Sequence, residues 1–112
     1  MNEQQSIRSF EYRPCRVTAS FDFEFVAGGK TLLGLCTDVS NEGIRATLDG
    51  SVVLGSFGLV IFRHSTGLIE LEAQVAYVDN RHVGLVFLFR TSWEREMIAG
   101  LIASIQKAPT MR

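Results

Sequence analysis

From Val17 to Phe25 the chain alternates without a break, with Val17, Ala19, Phe21, Phe23 and Phe25 set against Thr18, Ser20, Asp22 and Glu24. A period of two is the pattern of an extended strand with one face on a core and the other in water. Gly28-Gly29 then supplies a turn. A second extended stretch runs over Thr31–Val39, and a third alternates Ile44, Ala46 and Leu48 with Arg45, Thr47 and Asp49 before Asp49-Gly50 closes it. Further strands are predicted at Phe57–Arg63, Leu68–Val78 and His82–Phe89. In Leu68–Val78, Ile69, Leu71, Ala73, Val75 and Tyr77 alternate with Glu70, Glu72, Gln74 and Ala76. His64-Ser65-Thr66-Gly67 and Asp79-Asn80-Arg81 between these runs have turn chemistry.

The period changes once. Thr91-Ser92-Trp93-Glu94 has the spacing of a capping box, after which Trp93, Met97, Ile98, Leu101, Ile102 and Ile105 fall on one helical face. Six short strands joined by tight turns predict a small antiparallel β-barrel, all-β apart from this one C-terminal helix, whose apolar stripe covers an open end or side. Phe21, Phe23, Ile44, Leu71, Val75, Val86 and Leu101 are the expected core. The division predicted is a flexible polar arm over 1–12, a barrel with its helix over 13–107, and a tail over 108–112. With 112 residues, 46% of them hydrophobic, the chain has the material for one core, and a domain of this size buries roughly two thirds of its unfolded surface. It needs neither disulfide nor metal staples.

Charge and composition narrow the function. Eleven Lys and Arg against twelve Asp and Glu leave a net charge of −1, which provides no general basic field for nucleic acid or an anionic membrane. The alternation also places most of the eight Phe inside, away from any base-stacking role on single strands. An anionic partner must be caught by a local group of arginines. The N-terminus lacks the apolar run of a signal peptide, and the longest apolar stretch, Leu85–Phe89, is too short to cross a bilayer, so the expected location is the cytoplasm. There, Cys15 and Cys36 are expected as thiols rather than a bridge. His64 and His82 stand 18 residues apart beside different turns, without the spacing of a metal site. With Glu70 and Glu72 on the solvent face of a strand and no nucleophile elbow or phosphate loop, the sequence points to no metal, no cofactor and no enzyme.

The informative segment is Asp38-Val39-Ser40-Asn41-Glu42-Gly43, a strand end running through a turn into the next strand. A carboxylate at Asp38 accepts two parallel N–H bonds, as the edge of a guanine offers, and Ser40 adds a hydroxyl two residues on. Gly43 tolerates a positive φ, and its missing side chain lets a ligand approach the backbone. The same residues also suit a plain hairpin turn.

Asp38-x-Ser40-x-x-Gly43 lies between the second and third strands of a six-stranded barrel. Ahead of it is an arginine-bearing arm; after it come Val83-Gly84-Leu85-Val86-Phe87 and a helix. In this arrangement the chain resembles the PilZ domain family along nearly its whole length. The resemblance implies a bacterial cytoplasmic domain that senses cyclic di-GMP through an Arg-x-x-x-Arg arm and an Asp/Asn-x-Ser-x-x-Gly turn. The turn is complete here. The arm departs from the pattern, because Arg8, Arg13 and Arg16 include no pair four apart. Arg16, 22 residues ahead of Asp38, matches the second arginine in register, which leaves Tyr12 where the first belongs and Arg13 one position late. Pro14 biases Arg13 toward an extended conformation, from which its long side chain reaches the same region. The candidate ligand residues are therefore Arg13, Arg16, Asp38, Ser40 and Gly43, with Arg8 as a further contact.

Two functions follow from the resemblance. One is a switch that closes its arm on cyclic di-GMP and presents the ordered surface to a protein partner in motility, biofilm or exopolysaccharide control. The other is an adaptor that keeps the barrel without the ligand and acts by protein contact in pilus or motility systems. The complete turn favours the first and the altered arginine spacing the second.

Overall fold

Every alternating run becomes a strand in the computed structural model, which describes residues 17–64 and 67–107. The strands are β1 (Val17–Ala27), β2 (Lys30–Val39), β3 (Gly43–Leu48), β4 (Phe57–His64), β5 (Gly67–Asp79) and β6 (His82–Phe87), followed by a helix, α1 (Ser92–Lys107). They close into an antiparallel barrel in the order β1-β2-β3-β6-β5-β4. The arm over 1–12, the tail over 108–112, Cys15 and the three arm arginines lie outside the described residues.

Tight turns set the register. Gly28 and Gly29, at φ 61° and 79°, make the two-residue link between Ala27 and Lys30, a geometry that needs positive φ at both positions and that matches the twist of the flanking strands. Asn80 at φ 62° serves the β5–β6 hairpin, since Asn tolerates the left-handed region better than other side chains. Asp49 ends β3 and accepts the Leu33 N–H at 2.9 Å, tying the strand end back to β2.

The interior is filled from all six strands, among them Phe25, Val39, Ile44, Val60, Leu71 and Leu85, and Cys36 is buried with them. Of the expected core, Phe23, Ile44, Leu71, Val75 and Leu101 are buried, while Phe21 is half-buried with its ring 5.2 Å from that of Phe62. Val86 faces outward instead: Val83, Leu85 and Phe87 take the inner positions of β6, so its neighbour in the alternation points to solvent. The strand also ends at Phe87 rather than Phe89.

The capping motif forms. Thr91 Oγ1 accepts the Glu94 N–H at 3.2 Å, and the Glu94 carboxylate accepts the Arg90 N–H at 2.8 Å, one residue before the position usual for a capping box. Ile98, Leu101 and Ile102 are buried and α1 packs nearest β1. Trp93, expected on this face, is 64% exposed. Glu94, four residues before Ile98, holds the inward direction in the first turn, and Trp93 is rotated about 100° away from it.

Candidate functional site

Three register slips in the barrel fall at one level. They lie between Thr18 and Phe21 on β1, between Cys36 and Asp38 on β2, and between Val75 and Tyr77 on β5. A bulge adds a residue to one strand and turns the following side chain to the other face. Cys36 points into the core, and unbroken alternation would send Asp38 after it; the slip turns Asp38 outward and leaves Val39 buried. The Cys36 thiol, 3.3 Å from the Asp38 carbonyl oxygen, lies against this irregular step. On β5 the same device reverses an expectation. Tyr77, assigned by alternation to the inner face with Val75, is 41% exposed and lies outside the barrel.

These slips bring a row of residues into line across the outer surface. Thr18 pairs with Asp38, Asp38 with Arg45, Arg45 with Gly84, and Gly84 with Tyr77. Asp38 Oδ2 is 4.0 Å from a guanidinium nitrogen of Arg45, whose side chain is 45% exposed. Tyr77 lies over Gly84, where any Cβ would collide with its ring. Two shallow depressions flank the row, of about 100 Å³ on the Ser40 and Gly43 side and about 300 Å³ on the Asp38 and His82 side, and both are lined by Arg45 and Tyr77.

The turn itself is held from within. The Ser40 N–H donates to the Gly43 carbonyl at 2.9 Å, and Ser40 Oγ, fully buried, accepts the Glu42 N–H at 3.1 Å. The Glu42 carbonyl in turn accepts the Phe87 N–H at 2.8 Å, which fixes the turn to the end of β6. Gly43 does not use the positive φ that a glycine tolerates. Its missing side chain is required because a Cβ would strike the backbone carbonyl oxygen of Leu85 on β6. So Asp38, Ser40 and Gly43 are brought together, Asp38 presented outward and the other two committed to the frame. Arg8, Arg13 and Arg16 lie outside the described residues, but the arm joins the barrel at Val17, which pairs with Val39 beside the turn. Among the described residues no cluster of three metal-ligating side chains occurs, and no helix is long and apolar enough to cross a membrane.

A family model for the PilZ domain matches residues 6–104. The chain belongs to the PilZ domain family. Solved structures agree on the fold. The PilZ domain of CeSA from a cellulose-synthesizing bacterium superposes with a TM-score of 0.72 at 12% identity, over 82% of this chain and 98% of that one. The PilZ domain of YcgR from Escherichia coli, solved with c-di-GMP, gives 0.72 at 16% identity over 85% and 91% of the two chains. Bacillus subtilis MotI/DgrA, described as an inhibitor of motility, gives 0.72 at 21% identity, over 88% of this chain and 53% of that one. No curated protein matches the sequence significantly.

Within this PilZ barrel, Arg45 and Tyr77 line both depressions beside the turn, and sequence reasoning singled out neither for the candidate site. Arg45 was legible as an outward residue of β3, two positions beyond Gly43. What could not be read was its partner Asp38, which reaches the same face through a bulge.

Proposed function

We propose that this chain is a receptor for cyclic di-GMP, binding the ligand between its N-terminal arm and the Asp38–Gly43 turn and relaying the messenger level to a protein partner by contact. It acts as a binding domain, without a catalytic step, in the bacterial cytoplasm, in motility, biofilm or exopolysaccharide control. The observation that carries this reading is the outward carboxylate of Asp38, turned by a bulge to the surface beside which β1 begins. Its oxygens are acceptors for the N–H edge of a guanine. Arg13 and Arg16 supply the guanidinium groups that bind guanine O6 and N7 or neutralise a phosphate, with Arg8 further out on the arm. Ser40 and Gly43 shape the turn that presents Asp38. Family membership supports the reading, as does the c-di-GMP complex of the E. coli YcgR domain, which has the same fold.

A second reading, a PilZ adaptor that works by protein contact without ligand, is favoured by the absence of two arginines four apart in the arm. Calorimetric titration with cyclic di-GMP, with GTP and linear pGpG as controls, separates the two. Saturable binding of the cyclic dinucleotide alone supports the receptor. Silence, with binding gained by Tyr12→Arg, supports an adaptor descended from one.

A further inference from the structure

In the strand order of the barrel, β1, β4 and the first half of β5 lie away from β3 and β6, and their outer side chains form a chequered surface. Leu33 on β2 pairs with Glu24 on β1, Glu24 with Ile61 on β4, and Ile61 with Glu70 on β5, so apolar and acidic side chains alternate across four strands. The rows on either side repeat the theme, Leu35 pairing with Asp22 and Leu59 with Glu72. Leu33 is 58% exposed, and Leu35 and Leu68 are exposed too. A depression of about 390 Å³ crosses this surface from β1 to β4, with Leu33, Ile61 and Leu68 in its lining beside Asp22, Glu24 and Arg63. Apolar side chains grouped in water and rimmed by charge mark a surface that another molecule covers.

The charges decide which molecule. Asp22, Glu24, Glu70 and Glu72 are exposed on this face against Arg63, and none of them is in an ion pair: those among the described residues join Asp38 to Arg45 and Arg90 to Glu94. A second copy docked symmetrically here would set carboxylate against carboxylate, and an anionic membrane or nucleic acid would be repelled. A helix with an apolar stripe flanked by Lys or Arg meets the pattern, its stripe on Leu33, Ile61 and Leu68 and its cations beside the carboxylates. Four neighbouring strands span three steps of about 4.8 Å, or about 14 Å, which is room for one helix of about 10–12 Å diameter. We propose that this face docks a basic amphipathic helix of the partner protein. The inference rests on the relay by protein contact proposed above, and adds where that contact is made and what chemistry it requires.

The test is NMR titration of the isotope-labelled full chain with a synthetic amidated peptide of leucine and lysine in the order of an amphipathic helix. The same peptide scrambled, and a leucine–glutamate version, are the controls. Amide shifts are expected to concentrate on β1, β4 and the Leu68–Glu72 stretch of β5, with both controls far weaker. Glu24→Gln combined with Glu70→Gln should weaken binding about tenfold and flatten its salt dependence. Leu33→Ser should also weaken it about tenfold, through lost apolar contact. Glu96→Gln, on the exposed side of α1, should leave it unchanged. Leu33 is exposed, so its variant should fold; equal unfolding midpoints verify this. No binding of the peptide, binding that Leu33→Ser leaves intact, or a loss with Glu96→Gln as large as with the paired glutamate variant overturns the inference. A dimer in sedimentation that Leu33→Ser dissociates assigns the face to a second copy and overturns it as well. These measurements are made without cyclic di-GMP, so their failure leaves the receptor reading to its own calorimetric test.

Discussion

Asp38 and Arg45 face each other across β2 and β3, carboxylate and guanidinium 4.0 Å apart, at the step where the ladder between those strands slips. So loose and half-exposed a pair contributes little to stability. Asp38→Ala is expected to weaken cyclic di-GMP binding by about 1–3 kcal/mol, with little loss in the urea midpoint. Equal affinity in wild type and variant would remove Asp38 from the site.

Ser40 and Gly43 should behave in the opposite way. Ser40→Ala removes the buried hydroxyl that accepts the Glu42 N–H, at a cost of about 0.5–1.5 kcal/mol, and Gly43→Ala drives a methyl against the Leu85 carbonyl oxygen, costing at least as much as other overpacked substitutions, about 1–3 kcal/mol. Chemical denaturation should show both losses without ligand present. A Gly43→Ala protein of native stability would mean that the glycine is there for the ligand instead.

The arm is expected to decide affinity. Arg13→Ala and Arg16→Ala should each weaken cyclic di-GMP binding by about 1.5–3 kcal/mol, since each removes a charge-assisted bond, with a smaller effect for Arg8→Ala. Tyr12→Arg, which restores four-residue spacing to Arg16, should tighten binding or leave it as it is. Calorimetry on the four variants would overturn this assignment if Arg8→Ala proved the most damaging.

Packing gives a contrast between two aromatic residues. Phe25 is fully buried, and Phe25→Ala is expected to cost about 3–5 kcal/mol; Trp93 is 64% exposed, and Trp93→Ala should fall within about 0.5 kcal/mol of wild type. Thermal unfolding of the two variants measures the difference.

The barrel was legible because burial on one face forces a period of two, and β1 keeps that period through Phe25. The helix was legible because Thr91 and Glu94 state its start and Ile98, Leu101 and Ile102 its inner face. Tyr77 was misread for a physical reason: a bulge inserts a residue without a change of composition, so Val75 and Tyr77 look equivalent along the chain and point to opposite sides in the fold. The same device hid the pairing of Asp38 with Arg45. Gly43 was legible as necessary, though its reason lies in β6, roughly forty residues on and out of reach of any local reading.

The closure of the barrel is uneven. β1 pairs with β4 only over Glu24–Val26, so among the described residues its first stretch, Val17–Phe23, is laddered to β2 alone. A tug delivered through the arm at Val17 thus meets a strand fastened along a single edge, where hydrogen bonds give way singly, as a strip peels, rather than all together as in shear. If the arm takes hold of the ligand as proposed, its pull falls on this singly laddered stretch of β1, whose Phe21 ring lies 5.2 Å from that of Phe62.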